Sequence, residues 1–204
     1  MKKLLGFSIF LVFVLIASLT AEAKVTLPAI FSDNMVLQQN TQVNVWGKAA
    51  PGEKVTVKAS WLDKPVTAKA AANGKWTVKL KTPKATTNQS VTVSGENEIT
   101  INNVLIGEVW LCTGQSNMEF PVSRHPDVKW NTGMLNEAEE LKDADYPEIR
   151  LFHVKHQLAH EGELDDCEGE WLVCNPKNLY DFSAVGFVFG RKLYKELKMP
   201  VGLI

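Results

Sequence analysis

With 204 residues, 45% of them apolar and a formal net charge of −1, the chain has the composition of one or two ordinary globular domains. Its 22 basic and 23 acidic residues are nearly balanced and form no basic cluster, which argues against nucleic acid or an anionic membrane surface as a partner. Three cysteines are too few for a disulfide framework, and none has the paired spacing of a metal site.

Met1-Lys-Lys3 is a basic start, Leu4 to Leu19 is almost wholly apolar, and Ala21-Glu-Ala23 has the small-residue spacing of a cleavage site. This pattern predicts a secretory signal peptide over residues 1–23 and a mature protein that begins at Lys24 in the periplasm or outside the cell. A spanning helix needs about 20 apolar residues, more than this run supplies. Loss of Lys2, Lys3 and Glu22 with the leader takes the net charge to −2. In an exported chain with three cysteines at least one is unpaired. Cys112 reads as a small core residue, while Cys167 and Cys174 either pair across a loop or stay as two thiols.

Residues 24–105 alternate with period two. Val43 and Val45, then Val55, Val57 and Ala59, then Trp76, Val78 and Leu80, then Val91 and Val93 are separated by polar residues. Pro51-Gly52, Asn73-Gly74 and Pro83 punctuate the runs, and Asn73-Gly74 predicts a type I′ hairpin. Short alternating strands with such turns predict an antiparallel β-sandwich domain. Trp46, Trp61 and Trp76 could form a sugar-stacking platform, but the alternation favours a core position for Trp46 and Trp76.

Residues 106–204 read differently. Val109 to Cys112 is a short apolar run that predicts a strand buried on both faces of a parallel sheet. It stops at Thr113-Gly114, and the polar Gln115-Ser116-Asn117 follows. Gly114 suits a tight turn, and groups just beyond the carboxyl end of a strand are where open α/β sheets place their sites. Ser116 is the candidate nucleophile, with its own N–H available as an oxyanion donor. The competing reading makes Gly-Gln-Ser-Asn an ordinary turn with Ser116 as a helix N-cap. Further on, Leu135 to Leu141 predicts a short amphipathic helix, Ile149 to Val154 a strand, and His156 to Gly169 a polar loop. Phe182, Val185, Phe189, Leu193 and Leu197 predict a helix packed on the sheet. Val201 to Ile204 begins another strand, parallel to its predecessor.

The block Glu108-Val-Trp-Leu-Cys-Thr-Gly-Gln-Ser-Asn-Met-Glu-Phe-Pro121 resembles the nucleophile block of the sialate O-acetylesterase family, within the SGNH (GDSL-like) hydrolases. Leu27-Pro-Ala-Ile-Phe-Ser-Asp-Asn-Met-Val-Leu-Gln38, Val45-Trp-Gly47 and Pro51-Gly-Glu-Lys-Val55 are similar to that family's amino-terminal β domain. Phe182-Ser-Ala-Val-Gly186, Phe189-Gly-Arg191 and Pro200-Val-Gly-Leu-Ile204 resemble its next helix and strand. The resemblance implies a serine esterase that removes O-acetyl groups from sugars, with sialic acid the leading substrate and no metal or organic cofactor. It implies Ser116 as nucleophile, with Gly114, Gln115 and Asn117 shaping the turn. It also implies a base histidine in an Asp-x-x-His block. His125, His153, His156 and His160 each lack an aspartate three residues before them. The expected architecture is therefore an α/β chain: a β-sandwich over 24–105, then 106–204 as the start of an incomplete α/β/α hydrolase domain without its base. Other carbohydrate acetylesterases, such as a xylan acetylesterase, and a non-catalytic glycan-binding β module remain as alternatives.

Overall fold

The computed structural model describes residues 24–127, 133–158, 160 and 162–204. The proposed leader, residues 1–23, lies outside the described residues. From Lys24 the chain runs β1 (Val36–Gln38), β2 (Gln42–Lys48), β3 (Lys54–Ala59), β4 (Val66–Lys69), β5 (Lys75–Lys81), β6 (Thr86–Ser94) and β7 (Glu98–Trp110). There follow α1 (Ser116–Glu119), α2 (Glu137–Lys142), β8 (Tyr146–Phe152), β9 (Trp171–Cys174), α3 (Pro176–Leu179), α4 (Ala184–Leu197) and β10 (Val201–Leu203).

The alternation in the first half does what period two requires. In β5, Trp76, Val78 and Leu80 are buried and the lysines and threonine between them are exposed. These residues share one core with Val45 of β2 and with Val55, Val57, Ala59, Val91 and Val93 of β3 and β6. Strands β2 and β5 pair antiparallel as a separate ladder, while β4-β3-β6-β7 run antiparallel within a larger sheet. Trp46 is a correction. With Val45 inward, the same alternation turns Trp46 outward, and it is 41% exposed. Trp76 is in the core as expected.

Asn73-Gly74 is a second correction. Gly74 has a φ of +77°, but Asn73 is not in the left-handed region, so the turn is not type I′. It joins β4 to β5, which pair with β3 and β2 respectively and not with each other. The Pro51-Gly52 turn follows its sequence: Gly52 takes a φ of +81° and Glu53 N–H donates to Ala50 O at 2.9 Å, as a type II turn requires.

Strand β7 ties the halves together. Its first nine residues pair antiparallel with β6, and its end, Glu108 to Trp110, pairs parallel with β10. The position between residues 105 and 106 therefore falls inside one continuous strand. The large sheet runs β4-β3-β6-β7-β10-β8-β9, with β1 parallel to β7 beside it. The predicted parallel pair is present, since β10 runs parallel to both β8 and β7. Helix α4 packs on this part through Phe187 and Gly190. A Cβ at Gly190 would lie 2.4 Å from Leu203 Cδ1, so only glycine allows the approach. The predicted elements after Ser116 appear with shifted ends as α2, β8, α4 and β10; the expected stripe of α4 is corrected, since Ala184, Phe187 and Gly190 are buried while Val185, Phe189 and Leu197 are exposed. Strand β9, which pairs antiparallel with β8, was not expected.

A buried arginine rivets the halves. Arg150 of β8 is 3% exposed; its guanidinium donates to Pro147 O, to Asn34 O and Oδ1, and to Asn103 Oδ1 at 2.9–3.3 Å. On the other face, Glu140 of α2 pairs with Arg191 of α4, which also lies over the Phe187 ring at 4.9 Å. That pair holds the Glu140 carboxyl below the usual range.

The cysteine question resolves as thiols. Cys167 packs against the core of the β half and Cys174 lies in the other core, and neither is bonded to a second sulfur. Burial pushes the Cys174 thiol up to about 12. Alkylation of the native chain by iodoacetamide near neutral pH should therefore modify Cys167 before Cys174. Equal rates at the two positions would contradict this burial.

Candidate active site

The site lies where the parallel end of β7 gives out. The expectation of a strand buried on both faces over Val109–Cys112 is corrected here. Strand β7 ends at Trp110, which is 43% exposed, and Leu111 is 68% exposed. Trp110 instead sets its ring edge-on against Phe189 of α4 at 5.1 Å, so one face of this end is left uncovered. Cys112 N–H still donates to Ile204 O at 2.6 Å, which continues the β7–β10 ladder for one more link.

The chain then turns through Thr113 and Gly114. A Cβ at Gly114 would lie 2.9 Å from Met118 Cβ, so the approach of α1 to the turn is what requires glycine. Gln115 is the N-cap of α1, and Gln115 O accepts from the N–H groups of Met118 and Glu119 at 2.8 and 3.2 Å. Ser116 is the first residue within the helix, so it is not the cap. It is exposed, and among the described residues neither its Oγ nor its N–H has a hydrogen-bond partner. Helix starts leave such N–H groups open. Gly114 and Gln115 lie before it on the exposed turn, and Asn117, also exposed, follows it within α1.

The segment after Ser116 is pinned. Ser183, the N-cap of α4, accepts from Gly186 N–H at 3.1 Å and donates its hydroxyl to Met118 O. Ala184 N–H donates to Phe120 O at 2.9 Å, and Val122 N–H to Phe182 O at 3.0 Å. These bonds fix α1, and with it the position of Ser116, against the start of α4.

Ser116 opens into a cavity of about 430 Å³ lined by Leu111, Cys112, Glu119, Phe152, His153, His156, Phe182 and Ile204, among others. That volume lies within the range of small-molecule sites, about 300–1,000 Å³. His156 Nε2 is 3.0 Å from Glu119 Oε1, and both side chains are largely exposed. His153 sets its ring edge-on to Phe182 at 6.3 Å. Among the described residues no histidine lies within hydrogen-bond distance of Ser116 Oγ. His125 is elsewhere, with Nε2 3.0 Å from Asp181 and its ring against Tyr180. His160 is exposed in the loop. Burial raises the Cys112 thiol above its ordinary value, so this neighbour of Ser116 is poorly suited to act as a thiolate.

The turn at 114–117 and its serine were legible in sequence. The grouping of Glu119, His153 and His156 around it was not, because two segments distant in sequence, α1 and the stretch after β8, bring them together. An Asp-x-x-His spacing does not search for such a group.

No protein-family model matches the chain. It is 33% identical to a sialate O-acetylesterase of Mus musculus over 86% of this chain and 34% of that protein. It is 32% identical to the sialate O-acetylesterase of Homo sapiens over 85% of this chain and 35% of that protein. Among solved structures, a carbohydrate acetylesterase from Xanthomonas citri superposes with a TM-score of 0.77 at 31% identity, over 88% of this chain and 39% of that one. The chain thus spans about a third of the length of the curated relatives it matches. Over the stretch they share, the chain is similar in sequence to the sialate O-acetylesterases.

Proposed function

We propose that this chain carries the nucleophile of a serine-dependent carbohydrate O-acetylesterase, with O-acetylated sialic acid as the leading substrate. The observation that carries the reading is Ser116 itself: beyond the carboxyl end of a parallel strand, at a pinned turn, facing a cavity, with Oγ and N–H both uncommitted among the described residues. Ser116 Oγ attacks the acetyl carbonyl and passes its proton to a base. The charge that develops on the carbonyl oxygen is met by Ser116 N–H. Collapse of the tetrahedral species frees the sugar hydroxyl and leaves acetyl on Ser116, and a water activated by the same base releases acetate. The base is placed in the part of the family's length that this chain does not span.

A second reading has its own observation. His156 and Glu119 form a carboxylate-oriented imidazole on the rim of the same cavity, and catalytic hydrogen bonds are often long before substrate binds. Under that reading His156 is the base and Glu119 positions it.

The sugar is tested by acetate release from O-acetylated sialic acid and from acetylated xylan, by a protein of the relatives' full length that carries this chain. Faster release from the sialic acid is expected. Faster release from xylan would move the assignment to another carbohydrate acetylesterase, and none from either would leave the glycan-binding alternative.

A further inference from the structure

Helix α1 is a single turn of four residues, and Ser116 is its first. Isolated helices shorter than about 12–15 residues are marginal in water, so such a turn takes its orientation from what holds it. None of its residues is buried, so core packing does not supply the hold. Its last carbonyls have no partner within so short a helix. They are received at the start of α4 instead. Ala184 N–H donates to Phe120 O at 2.9 Å, a main-chain bond that no side-chain change removes. Ser183 donates its hydroxyl to Met118 O, two residues beyond Ser116. Among the described residues this is the one side-chain hydrogen bond onto the backbone of α1.

The start of α4 is itself fixed to the strand that leads into the nucleophile turn. A Cβ at Gly186 would lie 3.3 Å from Cys112 Sγ, so the first turn of α4 sits close against the end of that strand. The turn over residues 113–116 is thus held from one place on both sides, through Cys112 before it and Met118 after it. Ser183 Oγ works in two directions there. It accepts from Gly186 N–H at 3.1 Å, which caps α4, and it gives its single proton to Met118 O.

We infer that Ser183 is a positioning residue for Ser116, an inference that rests on reading Ser116 as the nucleophile. Through Met118 O its hydroxyl proton sets α1, and so directs Ser116 Oγ at the acetyl carbonyl and Ser116 N–H at the oxygen that takes up charge. Ser183 acts through α1 and not on the substrate. Misplacement of a reacting group by about 1 Å can cost about 10²-fold in rate, so loss of the donor falls on kcat.

The two directions of the hydroxyl can be separated by substitution, in a protein of the relatives' full length that carries this chain. Aspartate caps a helix as well as serine does but, when ionised, has no proton to give. Glycine weakens a cap only slightly and has no side chain. Threonine keeps both acceptor and donor. Ser183→Asp and Ser183→Gly are each expected to lower kcat on an O-acetyl sugar about 10- to 100-fold, with KM and Tm nearly unchanged. Ser183→Thr is expected to hold kcat within about threefold of the starting protein. Agreement between the charged and the uncharged variant assigns the loss to the missing proton. Ser116→Ala is measured beside them, and turnover that survives it would remove the nucleophile reading and this inference together. Where Ser116→Ala abolishes turnover, the inference alone is overturned by any of three results. These are an undiminished kcat in Ser183→Gly, a loss in Ser183→Thr as large as in Ser183→Gly, or a fall in kcat that only follows a lowered Tm.

Discussion

Ser116→Ala, in a protein of the relatives' full length that carries this chain, is expected to lower kcat on an O-acetyl sugar by about 10⁴-fold or more. KM and stability should scarcely move. Ser116 is exposed, is not the cap of α1, and makes no side-chain hydrogen bond among the described residues, so the fold has little to lose. Surface changes of that kind stay within about 0.5 kcal/mol. Rate and stability therefore separate the two readings of the Gly-Gln-Ser-Asn turn. A serine that merely shaped the turn would cost stability when removed, and activity only in proportion. Thermal melts beside steady-state kinetics make the comparison.

The second large effect concerns the base. The 204-residue chain alone is expected to hydrolyse a simple acetyl ester at background, about 10⁴-fold or more below the full-length protein. A neutral hydroxyl is a poor nucleophile, and no described histidine reaches Ser116 Oγ by hydrogen bond. The uncovered face at Trp110, Leu111, Val185 and Phe189 adds to the expectation, since exposed apolar groups of this size favour association over an ordered site. Robust turnover by the purified chain that vanishes with Ser116→Ala and with His156→Ala would place the base on the His156–Glu119 pair instead. Loss with His156→Ala and survival in Glu119→Gln would leave His156 as base without an orienting carboxylate.

Much of the β half was legible because one face of each strand is buried, so period two fixes which side chains point inward. The same rule, applied strictly, puts Trp46 outside once Val45 is inside; a core position for both asked two adjacent strand residues to share one face. Asn73-Gly74 misled because the turn joins strands that belong to different ladders, a tertiary fact that a dipeptide does not carry. Strand β9 escaped because Trp171 to Cys174 is four residues long and follows an acidic loop. Docking of that loop through Asp165 onto Lys75, 90 residues earlier, has no local signature at all. The turn around Ser116 could be read because its parts are contiguous: an apolar strand, a glycine required by close approach, then polar residues at a helix start. Its surroundings could not, since Glu119, His153 and His156 meet there only after β8 is laid beside β10.

The central claim, that Ser116 is acylated in turnover, is tested most directly by trapping the intermediate. The full-length protein is mixed with an isotopically labelled acetyl ester, quenched in acid within the first turnovers, and digested for peptide mass mapping. The account predicts labelled acetyl on the peptide containing Ser116, and none there in Ser116→Ala. Turnover with the label found on another side chain, or on none, would contradict it.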